Sequence, residues 1–568
     1  MRGFSAARWT RGCVLATALL ASALTARAAD EDASPQALLP PDTYLFISCP
    51  SVVDLKARFA DSAMGKLWKD RSMSGIREEV KKLVDEAAAD AQREIGIPLN
   101  DLLGLPSGEV TLAASKVNNK LGAALIVDVG DNTETLEKVV KKIDDGIQGQ
   151  GAKKSTETYE EIELTVFKAD GNSPKELVHF TDESFVVFTS NVGLAKAIID
   201  RWDGKHEKTF AANPVLTTIL EECEESEDEY ADLYYYVDPV NLAMEVMKMD
   251  PKTAGNAAMA QGFLPLLGLD KLKAIGGAST LSSEDFDSVS RTMIYVEQPL
   301  TGILSVFRMP ATIEGPPKWV SKDVDQYSGF AWDVAGAYKS IDTLVMTFAP
   351  QIGGLDALLD QVASHPNNPG IHPKKDLLDQ LTGIVHVMAT EKEGDDPGTQ
   401  RMLIAIGVKD EKKVQNVVEK VAAQVPNLKP RTFEGATIYD IEAGGDNSPA
   451  LAITRGHLFI GTHPAALEAA IRGKSVAEEP LTSAEDYQAV AAHFPKPASS
   501  IGFSRPAAQI KSIWELARKG TFNETLHGFD LSKLPEFKSV EKYFAPSGSS
   551  IAPHEKGAIL MNFSLPVE

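Results

Sequence analysis

The chain has 568 residues, 43% of them apolar and 24% charged, the balance of an ordinary globular protein with room for two or more domains. Eighty acidic residues against 57 basic ones give a formal net charge of −23. An excess of that size repels phosphate backbones and anionic lipid surfaces, so nucleic acid is excluded as an expected partner.

The N-terminus carries Arg2, Arg8 and Arg11, then an apolar run from Cys13 to Leu24, then Ala26-Arg27-Ala28. A basic start, a short apolar run and a small-x-small site are the parts of a cleaved export signal, here residues 1–28. The run is shorter than the roughly 20 apolar residues a spanning helix needs. Removing the signal's four arginines takes the net charge from −23 to −27. The expectation is an exported protein, periplasmic or extracellular, with no transmembrane segment after cleavage. Cys49 and Cys223 are then its only cysteines. They can pair in an oxidising compartment or remain two buried thiols, and geometry decides.

Residues 29–40 read as a short linker. Thr43–Ser48 is β-rich and stops at Pro50. A charged helix is predicted over Ser74–Ile95, a turn-rich bridge over Leu99–Gly108, and strands over Glu109–Ala114 and Ala123–Val129. Leu136, Val139, Val140, Ile143 and Ile147 form one apolar helical stripe, with Asp131 or Asn132 as its cap. Strands then fill the stretch from Tyr159, and a helix over Val192–Trp202 closes it.

The second half repeats this order. Tyr327–Asp333 answers the Tyr44 strand. Val414, Val417, Val418, Val421 and Val425 repeat the helical stripe behind Asp410. Phe433–Ile471 answers Tyr159–Ile198, with Asn172-Ser173-Pro174 matched by Asn447-Ser448-Pro449. Asn and Pro in both places fit a turn. Ser184 and Ser190 stand where the second half has His457 and His463. Tyr234–Pro239 is answered by Ile501–Pro506, and the closing strand Met293–Val296 by Ile559–Phe563. The fold class is therefore α+β: two tandem copies of a mixed or antiparallel-sheet unit, helices packed on one face. The copies are placed at residues 41–310 and 327–568, joined by a Pro-rich linker at 311–326.

Several of these stretches carry a family resemblance. The opening Leu39-Pro40-x-Asp42-Thr43-x-x-Phe46 strand and the Leu102–Glu109 bridge are two. The Phe433-x-Gly435-x-x-Ile438-Tyr439 strand and the Pro464-x-x-Leu467-x-x-x-Ile471 helix are the others. Together they resemble exported bacterial proteins catalogued as domain of unknown function 3352. The first copy departs from the pattern at Glu161 and Val192. The resemblance implies export and a tandem fold, and supplies no activity and no catalytic residues.

Catalytic signatures are missing. There is no P-loop, no His-Glu-x-x-His and no Gly-x-Ser-x-Gly. Ile275–Ser279 is glycine-containing but reads as a strand start. Ser539-x-x-Lys542 has acyl-transfer spacing only if it lies on a helix. His365 with His372, and His457 with His463, lack helical metal-ligand spacing. Glu221–Glu229 is an acidic run without the glycine-punctuated loop that positions Ca²⁺ ligands. Asp446 and Asp170 open oxygen-rich turns.

No catalytic, cofactor or metal residue is assigned, and no cofactor is expected. The leading expectation is an exported non-enzymatic binding or scaffold protein for an extracytoplasmic protein or small ligand. An exported hydrolase with a site assembled only in space, and a small-ligand carrier with a pocket between the repeats, are the alternatives.

Overall fold

The computed structural model describes residues 34–94, 98–169, 175–202, 206–224, 230–310, 312–391, 400–442, 448–472, 479–522 and 529–567. The export signal, Asn172-Ser173-Pro174, Asp446-Asn447 and the acidic residues 225–229 lie outside them. The chain forms two compact units. The first holds residues through Ala257, Lys273–Tyr295 and a short stretch ending at Leu534. The second holds Ala258–Leu272, residues 296–527 and Pro535–Glu568.

In the first unit, ten strands form an antiparallel sheet. They are β1 (Thr43–Cys49), β2 (Val110–Val117), β3 (Lys120–Asp128), β4 (Lys153–Tyr159), β5 (Ile162–Ala169), β6 (Lys175–Asp182), β7 (Phe185–Thr189), β8 (Leu233–Val237), β9 (Leu272–Leu281) and β10 (Ser288–Val296). Their order across the sheet is β10-β9-β8-β1-β2-β3-β7-β6-β5-β4. Two-residue hairpins fix the register. Asn118 and Asn119 between β2 and β3, and Glu160 and Glu161 between β4 and β5, all take positive φ. Turns of this hand match the twist of the strands they join.

The second unit is built from β11 (Gln326–Ala331), β12 (Leu381–Thr390), β13 (Arg401–Val408), β14 (Leu428–Phe433), β15 (Ala436–Ile441), β16 (Ala450–Thr454), β17 (His457–Gly461), β18 (Ser500–Ser504), β19 (Ser547–His554) and β20 (Gly557–Ser564). Their order is β20-β19-β18-β11-β12-β13-β17-β16-β15-β14, again antiparallel.

Helices cover both faces of each sheet, where the sequence suggested one. In the first unit Leu136 and Val139 of helix Thr133–Gly149 pack on Val110, Val127 and Val186. Helix Val192–Ile199 lies on the opposite face, with Leu194 beside Gly122. In the second unit Val414 of helix Glu411–Ala422 packs on Val408 and Ile453. Leu467 of helix Pro464–Ile471 sits beside Gly461 and Leu403 on the other face. The reason is the strand period of two: β3 and β13 are apolar on both sides, so each side needs a cover.

Other boundaries move in instructive ways. Leu99–Gly104 is a helix, not part of a turn-rich bridge, because Leu102 and Leu105 are drawn into the core. Asn132 is the N-cap of helix Thr133–Gly149 but makes no capping bond. Its side-chain amide instead donates to the carbonyls of Gly104 and Leu105. Asp410 does cap its helix, accepting from the Lys413 N–H. In the β6–β7 hairpin Phe185, not Ser184, holds the position of His457, since Asp182 pairs with Phe185 as Thr454 pairs with His457. Asn191, not Ser190, matches His463, each being the N-cap of the following helix. Within residues 312–325, Trp319 and Val320 are buried.

Candidate functional site

The residues singled out by sequence do not converge. His372 caps a single turn and bonds Asp360 at 2.9 Å, while the His365 ring accepts from the Asn367 N–H. His463 caps helix Pro464–Ile471, accepting from the Ala465 N–H at 3.1 Å. His457 points instead into a buried aromatic cluster. Ser539 and Lys542 fall on two separate 3₁₀ turns rather than one helix. Ser539 donates to the Glu536 carbonyl and Lys542 lies over the Tyr543 ring, so the acyl-transfer pairing does not form. Gly277 sits mid-strand, where a Cβ would fall 1.9 Å from the Arg291 carbonyl oxygen. Glu221–Cys223 end helix Pro214–Cys223. Cys49 and Cys223 are free thiols, both buried. Burial pushes both thiols up to about 12. Among the described residues no group of three or more His, Cys, Asp or Glu could hold a metal ion.

Three polar features lie inside the units. In the first, Asp144 on helix Thr133–Gly149 accepts from Lys154 at 2.7 Å and bonds His179 Nε2 at 2.8 Å. Phe167 and Phe188 flank the imidazole. Burial lowers the His179 pKa, and the Asp144 carboxylate opposes that shift. Also in the first unit, Glu109 accepts from the Thr111 hydroxyl at 2.6 Å. The Asp128 N–H donates to the Glu109 carbonyl, so the two acids occupy facing strand positions. Burial, reinforced by Asp128, raises Glu109 to about 7. In the second unit His386 Nδ1 bonds the Tyr327 hydroxyl at 2.9 Å, with the His457 ring 5.6 Å away and Trp319 edge-on to both. Burial, with the neighbouring His457, lowers His386 to about 4.

The surface of the second unit holds, from Ala258 to Leu267, the feature that sequence reading missed. Helix Ala254–Leu267 has no charged side chain over its 14 residues. Gly268 stops it at φ 73°, and a Cβ there would lie 2.0 Å from the Thr301 carbonyl oxygen, so only glycine fits. Yet Met259, Phe263 and Leu266 stand 61%, 40% and 50% exposed. The Phe263 ring meets Phe348, 6.0 Å between centroids, at the end of helix Val334–Phe348. That helix exposes Ile341, Met346 and Phe348. It is tied to helix Gly354–Ala363, which exposes Leu358 and Val362, by Tyr338 donating to Asp356 at 2.7 Å and Leu355 N–H donating to Asp342 at 2.6 Å. Two of the few carboxylates here are thus spent on holding the helices together. Soluble proteins rarely leave this much contiguous apolar side chain in water without a use for it. The signal was in the sequence: a charge-free stretch longer than three helical turns.

Fold and surface define an antiparallel α+β protein with an exposed apolar helical face. Residues 370–525, within the second unit, match the family described as "Protein of unknown function (DUF3352)". No curated protein matches the chain. A solved structure titled "Structure of crystal form III of TP0453" is similar at 10% identity, covering 51% of this chain and 86% of that one, with a TM-score of 0.22. Among the described residues no helix is long and apolar enough to cross a membrane.

Proposed function

We propose that the chain is an exported, non-enzymatic binding protein that docks a protein partner on the apolar helical face of its second unit, and that the two units are copies of one ten-strand fold. The observation that carries the docking reading is the exposed, charge-free helix Ala254–Leu267. A protein partner fits better than an anionic bilayer, because a chain at −23 is repelled by one and the helix offers no cation to offset this. Met259, Phe263 and Leu266, all exposed within eight residues, supply adaptable contact area. The reading of two copies rests on the matching strand orders and on helices that follow matching strands.

The test is site-specific photo-crosslinking of the secreted chain in the cells that export it. A benzophenone amino acid at position 259 is expected to give one dominant adduct, lost in the Phe263→Glu/Leu266→Glu variant. The same group at exposed position 149, on helix Thr133–Gly149, is expected to give none. No dominant adduct from 259, or equal adducts from both positions, overturns the docking reading.

A hydrolase reading is favoured by one observation, the Glu109 carboxyl raised to about 7 beside Asp128. A group poised there can act as general acid at neutral pH. Turnover by purified protein on a panel of chromogenic esters and glycosides, abolished in Glu109→Gln, supports it and displaces the first reading.

A further inference from the structure

We infer that β4 of the first unit is an open edge that pairs antiparallel with β4 of a second copy of this chain. Among the described residues β4 pairs only with β5. Its register with β5 runs unbroken from Lys153 to Tyr159, with no bulge and no proline. Six of its seven residues are exposed. The two-residue turn at Glu160 and Glu161 makes Tyr159 and Ile162 the closing hydrogen-bonded pair. Alternation then turns Tyr159, Glu157, Ser155 and Lys153 toward β5, and leaves the backbone N–H and C=O of Lys154, Thr156 and Thr158 facing outward.

The second unit closes the same edge. Its outer strand is β14, joined to β15 by a turn of the same kind at Glu434 and Gly435. Counting back from that turn, Pro430 falls where Thr156 stands in β4. A proline at an outward position removes a donor from the edge, a known way to prevent strand addition. One outer edge is therefore blocked and the other is not.

A second copy is the occupant that charge favours. Two-fold pairing centred on Ser155 sets Lys153 of each copy opposite Glu157 of the other, twice per interface. Glu157 already holds Lys196, and Lys154 holds Asp144, so ion pairs on both faces hold the strand in place. Pairing centred on Thr156 gives no such match.

The experiment uses the full secreted chain in light-scattering chromatography at tens of micromolar. Wild type is expected as a dimer and Thr156→Pro as a monomer with the far-ultraviolet spectrum and thermal unfolding of wild type. A monomeric wild type overturns the inference. A dimer that survives Thr156→Pro does so too, because it assigns association to another surface such as the apolar helical face. Should Thr156→Pro misfold, Ser155→Cys decides. Facing serines at the two-fold lie at the close non-hydrogen-bonded spacing, so mild oxidation is expected to give a disulfide-linked dimer from Ser155→Cys and none from Tyr159→Cys. Equal yields from the two variants, or none from Ser155→Cys, reject the pairing.

Discussion

In the first unit the buried His179 is bracketed by Asp144, which also holds Lys154. In the second, His386 and His457 lie among Trp319, Tyr327 and Phe459, with no carboxylate hydrogen-bonded to either among the described residues. The two arrangements also use different faces of their sheets. His179 lies on the face that carries helix Thr133–Gly149, while His386 and His457 lie on the face that carries helix Pro464–Ile471. At the helix and hairpin positions of Asp144, Lys154 and His179, the second unit has Ala422, Leu428 and Leu451. One unit thus closes this region with an ion-paired polar network and the other closes it with hydrocarbon. The network fixes geometry through its hydrogen bonds; the apolar version needs only to fill volume.

The largest difference between the units is expected at Asp144. Asp144→Ala leaves Lys154 and His179 without their shared acceptor, and is expected to cost about 3 kcal/mol in urea unfolding followed by a probe in the first unit. The triple change Asp144→Ala/Lys154→Leu/His179→Leu, which copies the second unit, is expected to recover most of that loss. A triple variant no more stable than the single one shows that the two units do not share this packing.

The second unit is sharpened by pH. Its His386 stays neutral in the folded protein down to about 4, whereas in the unfolded chain the ring takes a proton below its ordinary value near 6.5. The unfolded state therefore binds more protons between those values, and stability falls as pH drops from 6.5 to 4. The shift corresponds to about 3 kcal/mol. His386→Gln is expected to flatten this part of the stability–pH curve, measured by denaturant unfolding at half-unit pH steps. In the first unit His179 shifts in the same direction but against its carboxylate, so His179→Gln is expected to flatten the curve less.

Smaller effects separate surface from core. Phe263→Glu/Leu266→Glu is expected to leave stability within about 0.5 kcal/mol, since the residues are exposed, while lowering the binding of a hydrophobic-surface dye. The smallest effect concerns the thiols. Cys49 and Cys223 are buried and held protonated, so a thiol reagent is expected to modify neither in the native chain at neutral pH and both after unfolding.

Much of the fold was legible because it is written in period. The Leu136–Ile147 stripe, the Val414–Val421 part of its counterpart, and the β-rich runs at Thr43 and Tyr327 are local signals that sit where their patterns place them, while Val425 falls beyond the end of helix Glu411–Ala422. The Leu99–Gly108 bridge misled because Gly104, Pro106 and Gly108 read as turns, while the pull on Leu102 and Leu105 comes from a core assembled in space. His457 was unreadable for a similar reason. Its neighbours Trp319 and His386 lie 138 and 71 residues away, and no spacing rule joins them.

The element types follow from the sequence alone, because they depend on side-chain period and backbone preference over a few residues. Only the tertiary structure decided which faces each sheet covers, which histidines are buried and with whom, and that a charge-free helix remains in water. Those outcomes depend on long-range burial, and burial is a property of what the rest of the chain leaves uncovered.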